Sequence, residues 1–194
     1  MEILKKYGIW IVFGLLVIWG IGIYNGIAGK EQTVKQSWGD VESDYQRRSD
    51  LIPNLVSTVK GYANFEQETL TRVVEARASA TQVKIDASNL TPENLQAFQQ
   101  AKGSLNSALG RLLAVAENYP DLKANQNFLD LQAQLEGTEN RISVSRKRFN
   151  EAVGDYNRAI VGFPRALIAS IGGFKEKGYF KAEEGAEKAP EVKF

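Results

Sequence analysis

The hydrophobic pattern begins with 22 consecutive positions, residues 7–28, that carry no charged side chain. At about 1.5 Å per residue, a helix over this run would be about 33 Å long, enough to cross a bilayer core of about 30 Å. Backbone groups in lipid find no water to bind, so a lone span has to be helical. The pattern predicts a short N-terminus at residues 1–6 and a transmembrane anchor at residues 7–28.

The anchor has a rival interpretation as a cleaved signal peptide, because Lys5 and Lys6 give the chain a basic start. The uncharged run is longer than the apolar part of a signal peptide, which is usually about 7–15 residues, so a retained anchor is favoured. Gly22 and Gly26 form a small-xxx-small pair that predicts self-association of the anchor. Glycine is also simply common in membrane helices.

The basic residues that would indicate which side of the membrane carries the soluble domain are nearly balanced across the span. Lys5 and Lys6 precede the span, while Lys30 and Lys35 follow it closely. A chain without cysteine is compatible with an oxidising compartment. We lean slightly towards a soluble domain on the non-cytoplasmic side of the membrane.

After the anchor, apolar residues recur at alternating steps of three and four. This period predicts a helix with one buried stripe. Pro53 lies inside the stripe and is expected to kink or divide the helix, because proline removes a backbone donor. Further along, Thr91 followed by Pro92 predicts a capped helix start.

The last long helix carries bulky residues at every seventh position on one edge of its stripe and small residues on the other. Small positions leave room for large side chains of a facing helix, so we predict that the first and last helices pack lengthwise. The predicted seam comprises Trp38, Tyr45, Ile52, Tyr62, Phe128, Ser145, Phe149 and Tyr156. Gly172 and Gly173 predict the end of the helical part. The predicted fold is all-α, with an antiparallel bundle of heptad-patterned helices over residues 29–174.

The C-terminal tail, residues 175–194, contains five Lys and five Glu and is expected to be extended and too polar to form a core. Val192 and Phe194 fall on one side of an extended segment and predict docking into a groove, on the same or a neighbouring bundle. Arg48 on the seam predicts pairing with a bundle carboxylate or with the end of the tail, and Arg47 is a second candidate partner.

Composition excludes several functions. A net charge of +1, from 24 basic and 23 acidic residues, argues against a nucleic-acid partner. The absence of His and Cys removes the usual nucleophile–base pairs and nearly all zinc, haem and iron–sulfur ligation, so no catalysis, metal or cofactor is expected. Asp40, Glu42 and Asp44 lack the glycine turn of a calcium loop.

Several runs closely resemble the LemA family of bacterial membrane-anchored proteins. They are Arg-Arg-Ser-Asp-Leu-Ile-Pro-Asn-Leu-Val at 47–56, Glu75-Ala76-Arg77, Glu-Asn-Tyr-Pro-Asp-Leu-Lys-Ala at 117–124, Arg148-Phe149-Asn150, Val153-x-x-Tyr156-Asn157 and Pro190-x-Val192-x-Phe194. The resemblance covers nearly the whole chain and implies a single-pass anchor in the bacterial inner membrane that carries a soluble helical bundle. It implies little about activity. Family members are often described with the bundle in the cytoplasm, which opposes the lean above, and Phe65 stands where many relatives carry His.

These observations favour a membrane-anchored scaffold or adaptor without catalysis, which self-assembles or recruits another membrane or envelope protein. The expected partners are the lipid bilayer, further copies of the chain and such a protein. The alternative is a membrane-remodelling or lipid-sensing coat protein. It needs an exposed apolar or basic face near the bilayer, and the sequence offers no strong one.

Overall fold

The protein is described by a computed structural model over residues 2–61 and 66–181, with side chains from Tyr7 onward. All regular secondary structure in this part of the chain is helical, as predicted. The elements are α1 (Glu2–Lys60), α2 (Gln67–Gln82), α3 (Pro92–Ala116), α4 (Pro120–Lys123), α5 (Gln126–Val161) and α6 (Arg165–Ile171).

Helix α1 joins the apolar N-terminal run to the bundle without interruption. Its 59 residues correspond to a length of about 88 Å. By length and composition, it is the one described helix capable of crossing a membrane, and only 6% of its most apolar window is buried. A core helix of a soluble protein would be mostly buried, so this exposure favours a lipid-facing segment.

Pro53 does not divide α1, contrary to the alternative of a divided helix. Proline cannot donate to the carbonyl four residues earlier, which leaves the oxygen of Ser49 without its helical partner. The Arg77 side chain of α2 fills this gap, because its Nε donates to the Ser49 oxygen at 3.0 Å. The buried residues Ile52 and Leu55 hold the helix on both sides of the proline.

Helices α1 and α5 pack lengthwise and antiparallel, as predicted. Trp38 contacts Phe149 with ring centroids 5.6 Å apart, and Arg48 pairs with Glu139, so residue numbers rise along one helix as they fall along the other. Helices α2 and α3 complete the bundle. The described members of the predicted seam are all buried, namely Trp38, Tyr45, Ile52, Phe128, Ser145, Phe149 and Tyr156. Tyr62 lies outside the described residues.

Helix ends follow local signals. The Thr91 side chain accepts from the Asn94 amide at 3.3 Å, with Pro92 at the first helical position, which confirms the predicted start of α3. After α6, Gly173 takes a φ of +74°, a conformation that glycine adopts without strain. The predicted stop at Gly172 and Gly173 is therefore confirmed.

The buried residues form two clusters. The proximal cluster adjoins the predicted anchor and includes Ile27, Trp38, Phe98, Phe149 and Phe180. The distal cluster lies at the other end of the bundle and is mainly aliphatic; it includes Ile52, Leu55, Val73, Leu105 and Leu112.

Helix α6 rests on the end of the apolar run. A methyl group at Gly20 would lie 3.6 Å from Cδ1 of Ile168, and the rings of Tyr24 and Phe174 are 5.2 Å apart. Ile27 is fully buried in the proximal cluster. The bundle thus contacts the last turns of the predicted anchor, and a division of the chain at residue 28 stays a prediction.

Candidate functional site: the groove that holds residues 175–181

Residues 175–181 lie without regular secondary structure along the surface of α5 and α3. We call this segment the strap. The expectation that the tail is too polar to join a core is wrong for Phe180, which is 5% exposed and belongs to the proximal cluster. The tail is polar on average, but its residue Phe180 is aromatic and packs into a pocket of the bundle.

Three side-chain amides of the bundle hold the backbone of the strap, and we call them the amide ladder. Each donates to the carbonyl and accepts from the N–H of one strap residue, over distances of 2.8–3.2 Å. The pairs are Asn157 with Lys177, Asn150 with Phe180, and Gln99 with Lys181. The arrangement copies the paired hydrogen bonds of a β-ladder, with side chains in the place of a neighbouring strand.

The register of the amide ladder follows from two periodicities. Seven helical residues from Asn150 to Asn157 rise about 10.5 Å, and three extended residues from Lys177 to Phe180 span about 10 Å. The distance between the two asparagines therefore matches the distance between Lys177 and Phe180, and the strap runs antiparallel to the helix. Because these bonds go to the backbone, they recognise an extended chain of almost any sequence.

An aromatic pocket gives the groove its side-chain preference. The ring of Phe180 lies 5.3 Å from that of Phe149, 6.1 Å from that of Trp38 and 6.3 Å from that of Phe98, between centroids. The Arg146 guanidinium closes the pocket, 5.1 Å from the Phe180 ring centroid, and donates to the Lys181 carbonyl at 2.9 Å. Such a pocket fits a large aromatic side chain.

A buried lysine sets a second preference. Lys177 is 6% exposed, and its Nζ lies 2.9 Å from Oε1 of Glu31 and 3.4 Å from the Ser88 carbonyl. Burial alone would raise the pKa of Glu31, but the hydrogen bonds and charges of Lys177 and Lys35 together outweigh it and hold that pKa below 4.5. Burial, together with the charge of Glu31, raises the pKa of Tyr156 to about 12, and its hydroxyl donates to the Lys175 carbonyl at 2.9 Å.

Gly178 lies in close contact with the bundle. A methyl group there would lie 2.7 Å from Cα of Pro92, which is too short for any real contact with backbone. The Gly178 amide also donates to the Leu90 carbonyl at 2.9 Å. The groove therefore fits an extended segment of the form Lys-Gly-x-aromatic.

The four residues predicted to take part in tail docking lie in different surroundings. Arg48 pairs with Glu139 of α5, which confirms the predicted pairing with a bundle carboxylate. Arg47 is exposed and lines a small depression of about 120 Å³ with Gln134 and Arg141. Val192 and Phe194 lie outside the described residues, so their docking stays a prediction.

Gly22 and Gly26 line a groove of about 330 Å³ between α1 and the end of the bundle. The other walls include Trp19, Lys30 and Arg165. A Cβ atom at either glycine would meet nothing within 4 Å, so the described chain does not fill this surface. Self-association through the pair stays a prediction.

The amide ladder was missed in the sequence, although two of its members stood in the motifs used above. Asn150 and Asn157 each follow a stripe residue, Phe149 and Tyr156, and they are seven positions apart. Polar amides repeated a heptad apart beside a buried stripe were the available signal. Among the described residues, no group of three or more His, Cys, Asp or Glu is placed to hold a metal ion.

Comparison with known proteins gives a family and distant relatives. The sequence model of the LemA family matches residues 37–194. The Magnetosome protein MamQ of Magnetospirillum gryphiswaldense is 27% identical over 174 residues, covering 81% of this chain and 64% of that protein. Magnetosome protein MamQ 1 of Paramagnetospirillum magneticum is 26% identical over 181 residues, covering 84% and 66%. Protein LemA of Metamycoplasma hominis is 22% identical over 174 residues, covering 90% and 76%. The chain thus spans just under two thirds of the length of these MamQ relatives.

Proposed function

Because this chain belongs to the LemA family, we propose that it is a membrane-anchored helical scaffold or adaptor without catalysis of its own. The family match and the exposed apolar helix indicate a membrane-associated protein. The observation that carries the proposal is the continuity of α1, in which one helix contains both the candidate span and half of the bundle seam. A continuous helix fixes the position and orientation of the bundle relative to the membrane, which a scaffold that presents a binding surface requires.

The amide ladder supports the binding side of this proposal. It holds an extended segment mainly through backbone hydrogen bonds, which is the mode that many peptide-binding surfaces use. Here the strap of the same chain occupies the groove. A segment of another copy or of an envelope protein with the same Lys-Gly-x-aromatic pattern has the chemistry to take its place.

The first experiment measures the mass of the full-length protein in mild detergent. A self-assembling scaffold gives a defined oligomer. Replacing Gly22 and Gly26 together by leucine is expected to reduce the oligomer to monomers, because the new side chains fill the shared surface. Gly14→Leu is the matched control, since its Cβ also meets nothing within 4 Å on the same helix. A monomeric wild-type protein would remove self-assembly from the proposal and leave the adaptor.

The proposed location is the bacterial inner membrane, with the bundle on the non-cytoplasmic side. The chain has no cysteine, so a single cysteine reports sidedness cleanly. Val144 is exposed on α5 and suits this purpose. Labelling of Val144→Cys in intact spheroplasts by a membrane-impermeant maleimide is expected, and labelling only after lysis would place the bundle in the cytoplasm.

The second candidate is a membrane-remodelling or lipid-sensing coat protein. One observation favours it: the turn before α6 and α6 itself expose large apolar side chains next to the anchor, including Phe163 at 89% and Ile171 at 78%. Such a face was not apparent in the sequence. Reconstituted protein that deforms vesicles in proportion to its surface density would favour this candidate over a scaffold.

A further inference from the structure

Helix α6 and the turn before it carry a cluster of exposed apolar side chains, which we call the apolar edge. Its members are Val161, Phe163, Leu167 and Ile171, which are 59–89% exposed. Beyond the N-terminal run, eight large apolar side chains of the described residues are exposed, and these four fall within eleven positions. On α6, Leu167 and Ile171 are exposed and spaced by four, while Ala169 of the same helix is buried. The segment thus turns one apolar face inward and a second face outward.

The surrounding sequence is compatible with lipid. From residue 159 to residue 174, the only charged side chain is Arg165. Arg165 lines the groove beside Gly22, Gly26 and Lys30, so the charge sits at the junction with α1. An arginine at that place is able to extend its guanidinium towards lipid headgroups while its stem stays among apolar atoms.

The position of α6 along α1 sets the depth of the apolar edge. Ile168 packs against Gly20, which lies eight residues before the end of the predicted anchor at Ala28. Eight helical residues rise about 12 Å. A run of about 33 Å that fills a hydrocarbon core of about 30 Å therefore brings α6 to the level of the lipid, not of the water.

The opposite arrangement leaves the anchor too short. If α6 stayed in water, only residues 7–19 would remain for the hydrocarbon, and they span about 20 Å. Lys5 and Lys6 stand immediately before this stretch and extend it poorly. A span about 10 Å short would have to thin the bilayer locally.

From this geometry we infer that the apolar edge is a second membrane contact, in which α6 and its preceding turn insert into the leaflet on the bundle side. The occupant of this surface is lipid, because the surface is continuous with a span that already requires lipid. The inference rests on the anchor of the proposed function. With two contacts on one rigid body, the bundle is held at a fixed tilt and does not swivel about a single helix.

The test uses the full-length protein reconstituted in vesicles of phosphatidylcholine and phosphatidylglycerol. A spin label is attached at Phe163→Cys or Ile171→Cys, and its collisions with oxygen, which concentrates in lipid, and with a water-soluble nickel chelate are measured. Both side chains are mostly exposed, so neither substitution disturbs the core. Leu16→Cys is the control within the span. Val144→Cys is the control in water, because Val144 lines the surface beside Ser43, about 22 Å beyond residue 28 along α1.

We expect labels at 163 and 171 to collide with oxygen as often as the label at 16, and at least fivefold less often with nickel than the label at 144. Nickel collisions equal to those at 144 would overturn the inference while a lipid-facing label at 16 keeps the anchor. Protection from both reagents would mean that protein covers the edge, which also overturns it. A label at 16 exposed to nickel would overturn the anchor and the inference together.

Discussion

The proximal and distal clusters stabilise the same bundle with different chemistry. The distal cluster is formed almost entirely by aliphatic side chains of helices, such as Leu55, Leu105 and Leu112. The proximal cluster surrounds Trp38 with aromatic rings and takes one of its members, Phe180, from a segment that is not helical. The distal end has only to exclude water, whereas the proximal end also recognises a backbone. This helical protein therefore holds an extended segment of its own chain by adding amides and aromatic rings to one end of the bundle.

The largest expected effect comes from a substitution in the proximal cluster, and a matched substitution in the distal cluster tests the comparison. Phe180→Ala should destabilise the protein by about 3–5 kcal/mol, because it empties an aromatic pocket. It should also release the strap, which makes the chain sensitive to trypsin at Lys177, a residue that is buried in the folded protein. Leu112→Ala in the distal cluster should cost about 2–5 kcal/mol and leave Lys177 protected at temperatures well below unfolding. Thermal unfolding in detergent and limited proteolysis measure both. Equal proteolysis of the two variants would contradict the comparison.

Ser145→Leu tests the tightness of the seam between α1 and α5. Ser145 is 5% exposed at the contact between α1 and α5, so a leucine there should overpack this contact and destabilise the protein by about 1–3 kcal/mol. Val144→Leu is the control, since Val144 is 49% exposed on the same helix. An unchanged melting temperature for Ser145→Leu would show that this part of the seam is loosely packed.

Asn157→Leu tests the amide ladder. It leaves the buried N–H and carbonyl of Lys177 without partners and should cost about 1–3 kcal/mol. Hydrogen exchange at the Lys177 amide should accelerate, while exchange at the Gly178 amide, bonded to Leu90, should change less. Asn140→Leu serves as the control for an asparagine on the same helix that does not pair with the strap. Retained protection at Lys177 would rule out a holding role for Asn157.

Arg77→Met tests whether the Arg77 side chain stabilises the distal half of α1, where Pro53 interrupts the helical hydrogen bonds. The methionine keeps much of the apolar stem but removes the donor to the Ser49 carbonyl freed by Pro53. A loss of about 1–2 kcal/mol is expected, from one hydrogen bond to a charged group. The matched double variant adds Pro53→Ala, which restores the helical partner of Ser49 and should recover most of the loss. Additive effects of the two changes would refute the compensation.

The smallest expected effect is a pH dependence of the free energy of unfolding, which arises from Glu31 at the proximal end of the bundle. The folded pKa of Glu31 lies below its ordinary value of 4.5, so its carboxylate stabilises the fold above about pH 4.5. That contribution should disappear as pH falls through the lower folded value, since protonated Glu31 no longer pairs with Lys177. Because Glu31 is partly exposed, the expected size is below about 1 kcal/mol. Glu31→Gln should flatten the acid side of the stability profile, and Glu136→Gln on the exposed face of α5 should leave it unchanged.

Local sequence determined much of this protein. The uncharged run, the heptads of α1 and α5, the Thr91 cap and the glycine stop after α6 each depend on a few neighbouring residues, so their patterns predicted the helices and the pairing of α1 with α5. These features repeat along the chain with the period of a helix, and burial of one stripe follows from that period.

Only the tertiary structure decided the rest. Pro53 remains inside a helix because Arg77, distant in sequence, satisfies the carbonyl that proline frees. Phe180 is a core residue because the bundle provides a pocket and the amide ladder provides partners for its backbone. The apolar edge lies beside the predicted anchor because α6 folds back onto Gly20. In each case the stabilising contact joins residues that are distant in the sequence. The sequence pattern contains both residues of such a contact, but it does not show that they lie next to each other in the fold.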